Sequence, residues 1–243
     1  MILDVKQLAK RYTKKSDYTI EGISINVSDG EIVGIVGHNG AGKSTTIKCI
    51  CGMHPFDEGE INICGYDLKK EALEAKKCFG YVPDEFSLYE KMTGTEFINF
   101  MADIYKVSKE EREERVEEFQ KLFQLGPSIN KAIRTYSHGM KQKISIMAAL
   151  IHNPKLFILD EPMVGLDPYT ASEVKEYFKI HAKKGNGVLF SSHNLNDVQK
   201  LCNRCYVIDQ GKMIEEIDIK KFNQSGEDLE EYFLKITKRE ARV

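Results

Sequence analysis

The chain has almost no surplus of either charge. Its 243 residues hold 35 Lys and Arg against 37 Asp and Glu, so the formal net charge is only −2. A nucleic-acid-binding domain is usually strongly basic, and this balance argues against one. Long apolar runs are also missing. Ile144–Ile151 (ISIMAALI) is among the longest, far short of the about 18 residues a membrane-crossing helix needs. The opening MILDVKQLAK lacks a basic segment followed by an apolar core, so no signal peptide is read and a cytosolic protein is expected. There are no repeats, low-complexity segments, linkers or sustained heptads. Six cysteines, at 49, 51, 64, 78, 202 and 205, are scattered and read as free buried thiols of a reducing compartment. Cys202 and Cys205 have redox-motif spacing, but they join a helix end to a strand, whereas a redox motif should open a helix. What remains is an ordinary globular composition, 42% hydrophobic and 30% charged, with enough apolar material for a core.

Residues Gly37–Thr45 read GHNGAGKST, which fits the G-x-x-x-x-G-K-[ST] loop that wraps a nucleotide's phosphates. A strand-like run, Glu31–Val36, precedes it, and a helix-compatible run, Thr45–Cys51, follows. Glycines at 37, 40 and 42 let backbone N–H groups converge on phosphate oxygens where a Cβ would obstruct them. The helix start adds unpaired N–H groups and the positive end of its dipole. The candidate nucleotide contacts are Gly37, His38, Asn39, Gly40, Ala41, Gly42, Lys43, Ser44 and Thr45. Lys43 would reach the β- and γ-phosphates, and Ser44 offers a hydroxyl to Mg²⁺. His38 holds a variable position of the loop, where its backbone matters more than its ring.

The flanking sequence alternates. Strands are expected at Ile2–Leu8, Ile20–Val27, Glu60–Cys64 and Phe79–Val82, with a helical segment at Lys69–Lys77. The middle is helical. Thr93 with Glu96, and Ser108 with Glu111, form capping boxes; the second opens Lys109–Phe123, which Gly126-Pro127 should end. A further helix follows Ser137, with Met140, Ile144, Met147, Ala148 and Ile151 as its core stripe. Beyond it come strand Lys155–Leu159, helix Tyr169–Lys184, strand Gly187–Ser191, helix Leu195–Leu201 and strand Tyr206–Asp209. The tail, Gly226–Lys238, reads as an amphipathic helix. Alternation of this kind predicts an α/β fold with parallel strands and crossover helices.

A second block of chemistry lies at Phe157-Ile-Leu-Asp160-Glu161, an apolar strand ending in two acids. Its carboxylates should project at the C-terminal edge of the sheet, beside the phosphate loop. Asp160 is placed to hold the Mg²⁺ shell, and Glu161 is the candidate general base for an attacking water.

Between the two blocks, Tyr136-Ser137-His138-Gly139-Met140 resembles the L-S-G-G-Q signature of the ATP-binding-cassette (ABC) ATPases. Ser137 and Gly139 match, while His138 and Met140 depart from the commonest form. Gly165-Leu166-Asp167-Pro168 is similar to the family's D-loop and His193 to its switch histidine. Tyr12 sits where the family keeps an aromatic that stacks on adenine. The family usually carries a Gln where Asp84 stands, reaching towards Mg²⁺ and the water; Asp is shorter and charged, and either serves as a hard oxygen ligand or leaves that position to a water. The matches run across essentially the whole chain in the family's order.

The resemblance implies a P-loop NTPase core with a parallel sheet, an N-terminal antiparallel β subdomain and a helical insertion subdomain. The core would comprise 1–84 and 155–217, the helical subdomain 85–154 and a C-terminal helix 218–243. It implies ATP and Mg²⁺ as cofactors, with Lys43, Glu161 and His193 catalytic, Ser44, Asp84 and Asp160 on the metal, and Ser137 and Gly139 meeting a γ-phosphate held by another subunit. The partners would be a second cassette, as homo- or heterodimer, and an integral membrane permease that holds the chain on the cytoplasmic face of the membrane; no nucleic acid is expected. A single chain should then hydrolyse ATP poorly. GYVPDE and YSHGMKQK look most like subunits of simple exporters. The alternative is a soluble ABC ATPase with a mechanical or regulatory role, whose relatives usually carry two cassettes, coiled coils or basic extensions.

Overall fold

The computed structural model describes residues 1–13, 17–86 and 88–240, with side chains to residue 237. Its strands are β1 Leu3–Lys10, β2 Ile20–Val27, β3 Ile32–Val36, β4 Glu58–Ile63, β5 Tyr66–Asp67, β6 Phe79–Val82, β7 Leu156–Leu159, β8 Gly187–Ser192, β9 Arg204–Asp209 and β10 Lys212–Asp218. They form one ten-stranded sheet in the order β5-β4-β1-β2-β10-β9-β3-β8-β7-β6. From β9 to β6 every neighbour runs parallel. β1 pairs antiparallel with β2 and β4, and β4 with β5.

The parallel strands are buried on both faces, as crossover connections require. In β7, Phe157 and Leu159 join one hydrophobic cluster while Leu156 and Ile158 join the other. β3 divides likewise, Ile32 and Val36 against Val33 and Ile35. Strand period two thus splits each apolar run between two cores.

The helices are α1 Lys43–Ile50, α2 Ala72–Lys77, α3 Gly94–Ile104, α4 Lys109–Phe123, α5 His138–Leu150, α6 Pro168–Lys183, α7 Leu195–Leu201, α8 Ile219–Ser225 and α9 Leu229–Glu240. Both capping boxes form as expected, at Thr93 and Ser108. α4 ends at Phe123 as expected, but Gln124 in the left-handed conformation (φ 50°) closes it, and Gly126-Pro127 instead opens a short 3₁₀ turn. α5 is more than an amphipathic stripe, because every residue from Ile144 to Leu150 is buried.

β10 is absent from the sequence expectations. Gln210 and Gly211 both have positive φ (47° and 78°), the backbone a two-residue hairpin turn demands. β10 pairs antiparallel with β9 and meets β2 through Lys212 and Glu21, so it welds the antiparallel strands to the parallel core. Arg204 braces the same junction, with Nε and a terminal nitrogen donating to the two Glu31 oxygens at 2.6 and 2.8 Å and further donation to Asn26 Oδ1 at 2.8 Å. The stretch after 218 also differs from the single expected helix. Asp218 caps α8 by accepting from Lys221 N–H, Gly226 in the left-handed region ends it, and α9 starts afresh. The six cysteines are free thiols; Cys64 and Cys78 are half-buried, the others buried.

Candidate functional site

Parallel strands deliver their C-terminal ends to one edge of the sheet, and there the chemistry gathers. The phosphate loop follows β3, Asp84 follows β6, Asp160 and Glu161 follow β7, and His193 follows β8. A cavity of about 380 Å³ at this edge is lined by Thr19, His38, Asn39, Gly40, Gly42, Lys43, Ser44, Thr45, Asp84 and Glu161.

The loop's geometry rests on Gly42. Its φ is +107°, and a Cβ there would stand 2.6 Å from Ile20 Cγ2, so a side chain would be strained and would clash. α1 starts at the next residue with no side-chain cap among the described residues and no acid in its first turn. Its N–H groups and positive dipole end therefore remain open to an anion. Lys43 is only 6% exposed. Its Nζ donates to the Gly37 carbonyl at 2.8 Å and the His38 carbonyl at 3.3 Å, and lies 3.3 Å from Glu161 Oε1.

Asp160 is fully buried. Its Oδ1 accepts from Ser191 Oγ at 2.6 Å, while Oδ2 has no hydrogen-bond partner among the described residues. Burial pushes its carboxyl above the usual range, and the Ser191 hydrogen bond and the nearby Ser44 hydroxyl pull back against that shift. A buried carboxylate oxygen lacking a partner, beside a serine hydroxyl, suits a hard divalent cation. Among the described residues no cluster of three His, Cys, Asp or Glu side chains forms; Mg²⁺ needs none, since it keeps waters and shares its shell with substrate phosphates.

Glu161 sits between two basic groups. Oε1 faces Lys43, and Oε2 lies 3.0 Å from His193 Nδ1 and accepts from the His193 backbone N–H at 3.3 Å. Its own φ is +48°, a costly conformation for glutamate, held where its N–H donates to Ser191 Oγ at 2.8 Å. Ser191 thus orients both acids, a role invisible in the sequence motif. Exposed Tyr12 stands beside the loop, its hydroxyl 3.5 Å from Thr45 Oγ1 and its ring edge-on to His54.

Ser137 and Gly139, expected to meet a γ-phosphate held by another subunit, do not line this chain's own cavity. Ser137 caps α5, its Oγ accepting from Met140 N–H at 3.3 Å, and Gly139 packs towards Thr170 of α6. His38 is more than a backbone donor, because its ring meets Phe233 of α9 edge-on with centroids 4.9 Å apart. His38, Asn39 and His193 share a neighbouring cavity of about 280 Å³ with Glu230 and Phe233, a contact between distant segments that no local pattern signals.

Residues 20–164 match the ABC transporter family. The chain is 40% identical over 213 residues to the linearmycin resistance ATP-binding protein LnrL of Bacillus subtilis (strain 168), covering 88% of this chain and 68% of that protein. It is 35% identical over 217 residues to the lipopolysaccharide export system ATP-binding protein LptB of Escherichia coli (strain K12), covering 87% and 88%. Among solved structures, an ATP-binding subunit of an ABC transporter superposes with a TM-score of 0.91 at 33% identity, covering 98% of this chain and all of that one. A dimeric ATP-binding cassette in a post-hydrolysis state, bound to ADP and Pi, gives 0.79 at 25% identity, covering 90% and 99%.

Proposed function

This chain belongs to the ATP-binding proteins of ABC transporters, ATPases by family, and we propose that it drives a membrane exporter by closing with ATP on a second cassette. One observation supports this reading above the rest. The chain presents two separate helix starts suited to phosphate: α1 opens onto the cavity, whereas α5, with Ser137 and Gly139, lies outside it. A second copy, or a related cassette, turned head to tail would bring its α5 start to this chain's cavity and receive this chain's α5 in return.

Within one site the geometry supports the following division of labour. The loop N–H groups and α1 dipole hold the phosphates. Lys43 exchanges the Gly37 and His38 carbonyls for β- and γ-phosphate oxygens. Ser44 and Asp160 would hold Mg²⁺, with Asp84 of the cavity lining a further candidate oxygen ligand; the ion would supply charge neutralisation on the phosphate oxygens. Glu161 accepts a proton from the attacking water, and His193, bonded to the same carboxylate, keeps it aimed. Tyr12 offers its ring to adenine.

Export is supported by two relatives named for resistance and for lipopolysaccharide export. A separate permease is supported by the lack, among the described residues, of any helix long and apolar enough to cross a membrane. A depression of about 320 Å³ lined by Tyr81, Leu88, Tyr89, Phe97, Phe100 and Ile104 offers apolar surface for a permease segment, and Tyr89 and Ile104 are each 56% exposed. The chain would then sit on the cytoplasmic face of the membrane.

The test is Glu161→Gln. With ATP bound and unhydrolysed, this variant should elute as a stable dimer in size exclusion with light scattering, and as a monomer without nucleotide. A variant that binds ATP yet stays monomeric at high micromolar concentration would sink the two-cassette reading.

A further inference from the structure

His138 stands where related signatures usually carry glycine, and its side chain touches two other segments of the catalytic face. Its Nε2 lies 3.1 Å from the Val164 carbonyl. A carbonyl oxygen only accepts, so Nε2 carries the proton and the imidazole donates. The ring also packs against Phe86, centroids 4.9 Å apart and planes inclined by 52°, two residues past Asp84. The contact with 164–165 depends on Gly165, whose φ is +72° and where a Cβ would stand 3.0 Å from Nε2. The exposed imidazole thus bridges the segments that carry Asp84, Ser137 and Glu161.

The link to Glu161 is short. Val164 N–H donates to the Glu161 carbonyl at 3.2 Å, closing one tight turn between them. Just beyond, Asp167 caps α6 by accepting from Tyr169 and Thr170 N–H, both at 3.0 Å, and bonds Thr170 Oγ1 at 2.7 Å. A Cβ at Gly139 would stand 3.2 Å from that same Thr170 oxygen. The start of α5 and the turn after Glu161 are therefore packed side by side, with His138 as the hydrogen bond between them.

We propose that His138 is a positioning residue that couples the two half-sites of one chain. It ties the α5 start, which serves the partner's nucleotide, to the turn that aims Glu161 at the chain's own. When a γ-phosphate draws the α5 start forward, the Val164 carbonyl follows and Glu161 moves with it. Each site then senses whether the other is filled, because both act on one shared element. The proposal rests on the two-cassette reading.

Three full-chain variants test it: His138→Ala, His138→Gly and His138→Gln, the last keeping an N–H donor near the Nε2 position. The first measurement is amide hydrogen exchange over 163–166 in nucleotide-free solution. Loss of the tether should speed exchange there several-fold in Ala and Gly but not in Gln. It needs no ATP, so it tests the tether whether or not the two-cassette reading holds. The second is steady-state ATPase against ATP concentration. Ala and Gly should lower kcat about five-fold, the rate equivalent of one ordinary hydrogen bond, move KM less than about two-fold on the same scale, and bring the Hill coefficient towards one; Gln should restore both. Unchanged exchange at 163–166, an unchanged Hill coefficient in Ala, or a Gln variant as impaired as Ala would each overturn the coupling. A wild type with a Hill coefficient of one and no ATP-driven dimer would remove the coupling together with the two-cassette reading, whatever the exchange showed.

Discussion

The helix starts of α1 and α5 carry similar equipment to opposite ends. α1 has a glycine cap with no side-chain partner for its N–H groups among the described residues, and it opens into a cavity whose lysine and carboxylates are already arranged around one another. α5 is satisfied by its own Ser137, and Ser137 and His138 are both exposed. An uncapped start offers free donors to a ligand, whereas a self-capped start must share its hydroxyl with whatever arrives. The α1 side is thus a preformed pocket, whereas under the proposed function the α5 side would become a site only when another surface is brought to it. That asymmetry would suit a machine coupling ATP to closure: one half would hold nucleotide in the open form and only the closed form would use both, giving ATP the differential affinity that shifts the equilibrium.

The harshest way to break the comparison is to empty the α1 side of its cation. Lys43→Ala removes the only lysine lining the cavity among the described residues and leaves Glu161 facing the phosphates with His193 alone. Losing one preorganised charge at a phosphoryl-transfer site costs at least about 10²-fold in kcat. Steady-state phosphate release should show that loss while far-ultraviolet circular dichroism stays unchanged. A rate within about three-fold of wild type, far below that expected cost, would mean the pocket is not where hydrolysis happens.

Asp160→Asn should split function from stability. The wild-type carboxyl is buried, so its folded pKa is raised above the unfolded value. The folded chain therefore binds more protons, and its stability falls as pH rises from the unfolded pKa through the folded one. Above that window the full penalty of a buried charge is in place. Asparagine removes it, so Tm at neutral pH should rise, by about 2–4 °C for each kcal/mol relieved in a domain of this size. The gain should shrink as pH falls and the wild-type acid takes up its proton. ATPase activity should drop about ten- to hundred-fold with the loss of a hard anionic ligand. A variant that loses both activity and stability would show that Asp160 is a structural acid.

Much of the α1 side was legible because it is local. The phosphate loop is contiguous, and an apolar strand ending in Asp160 and Glu161 announces a sheet edge. The unread parts are tertiary. Ser191, which bonds Asp160 and Glu161 together, sits in an ordinary β8 pattern. The His38–Phe233 contact joins the loop to a helix at the far end of the chain. β10 was missed because KMIEEID mixes charged and apolar residues and most of it is only half-buried, and because its turn uses Gln-Gly in place of the commoner Asn-Gly or Asp-Gly. On the α5 side the Ser137–Gly139 motif was legible, but the contacts of His138 with Val164 and Phe86 were not, since a departure from a pattern says nothing about what the new side chain touches.

The smallest expected effect sharpens the comparison most. Ser137→Ala removes the cap of α5, worth about 1 kcal/mol, so Tm should fall by about 2–4 °C. In the Glu161→Gln background, ATP-driven dimerisation should also weaken about ten-fold, the worth of one hydrogen bond to a charged group. Both losses have a trivial explanation if α5 merely frays. Ser137→Asp separates them. Aspartate caps a helix as well as serine does and should restore Tm, but it places a carboxylate where the partner's γ-phosphate would arrive. Like charges repel at that distance, so dimerisation should stay impaired or worsen. Recovery of both Tm and dimer in Ser137→Asp would mean the serine serves only its own helix, and the α5 start would no longer count as half of a site.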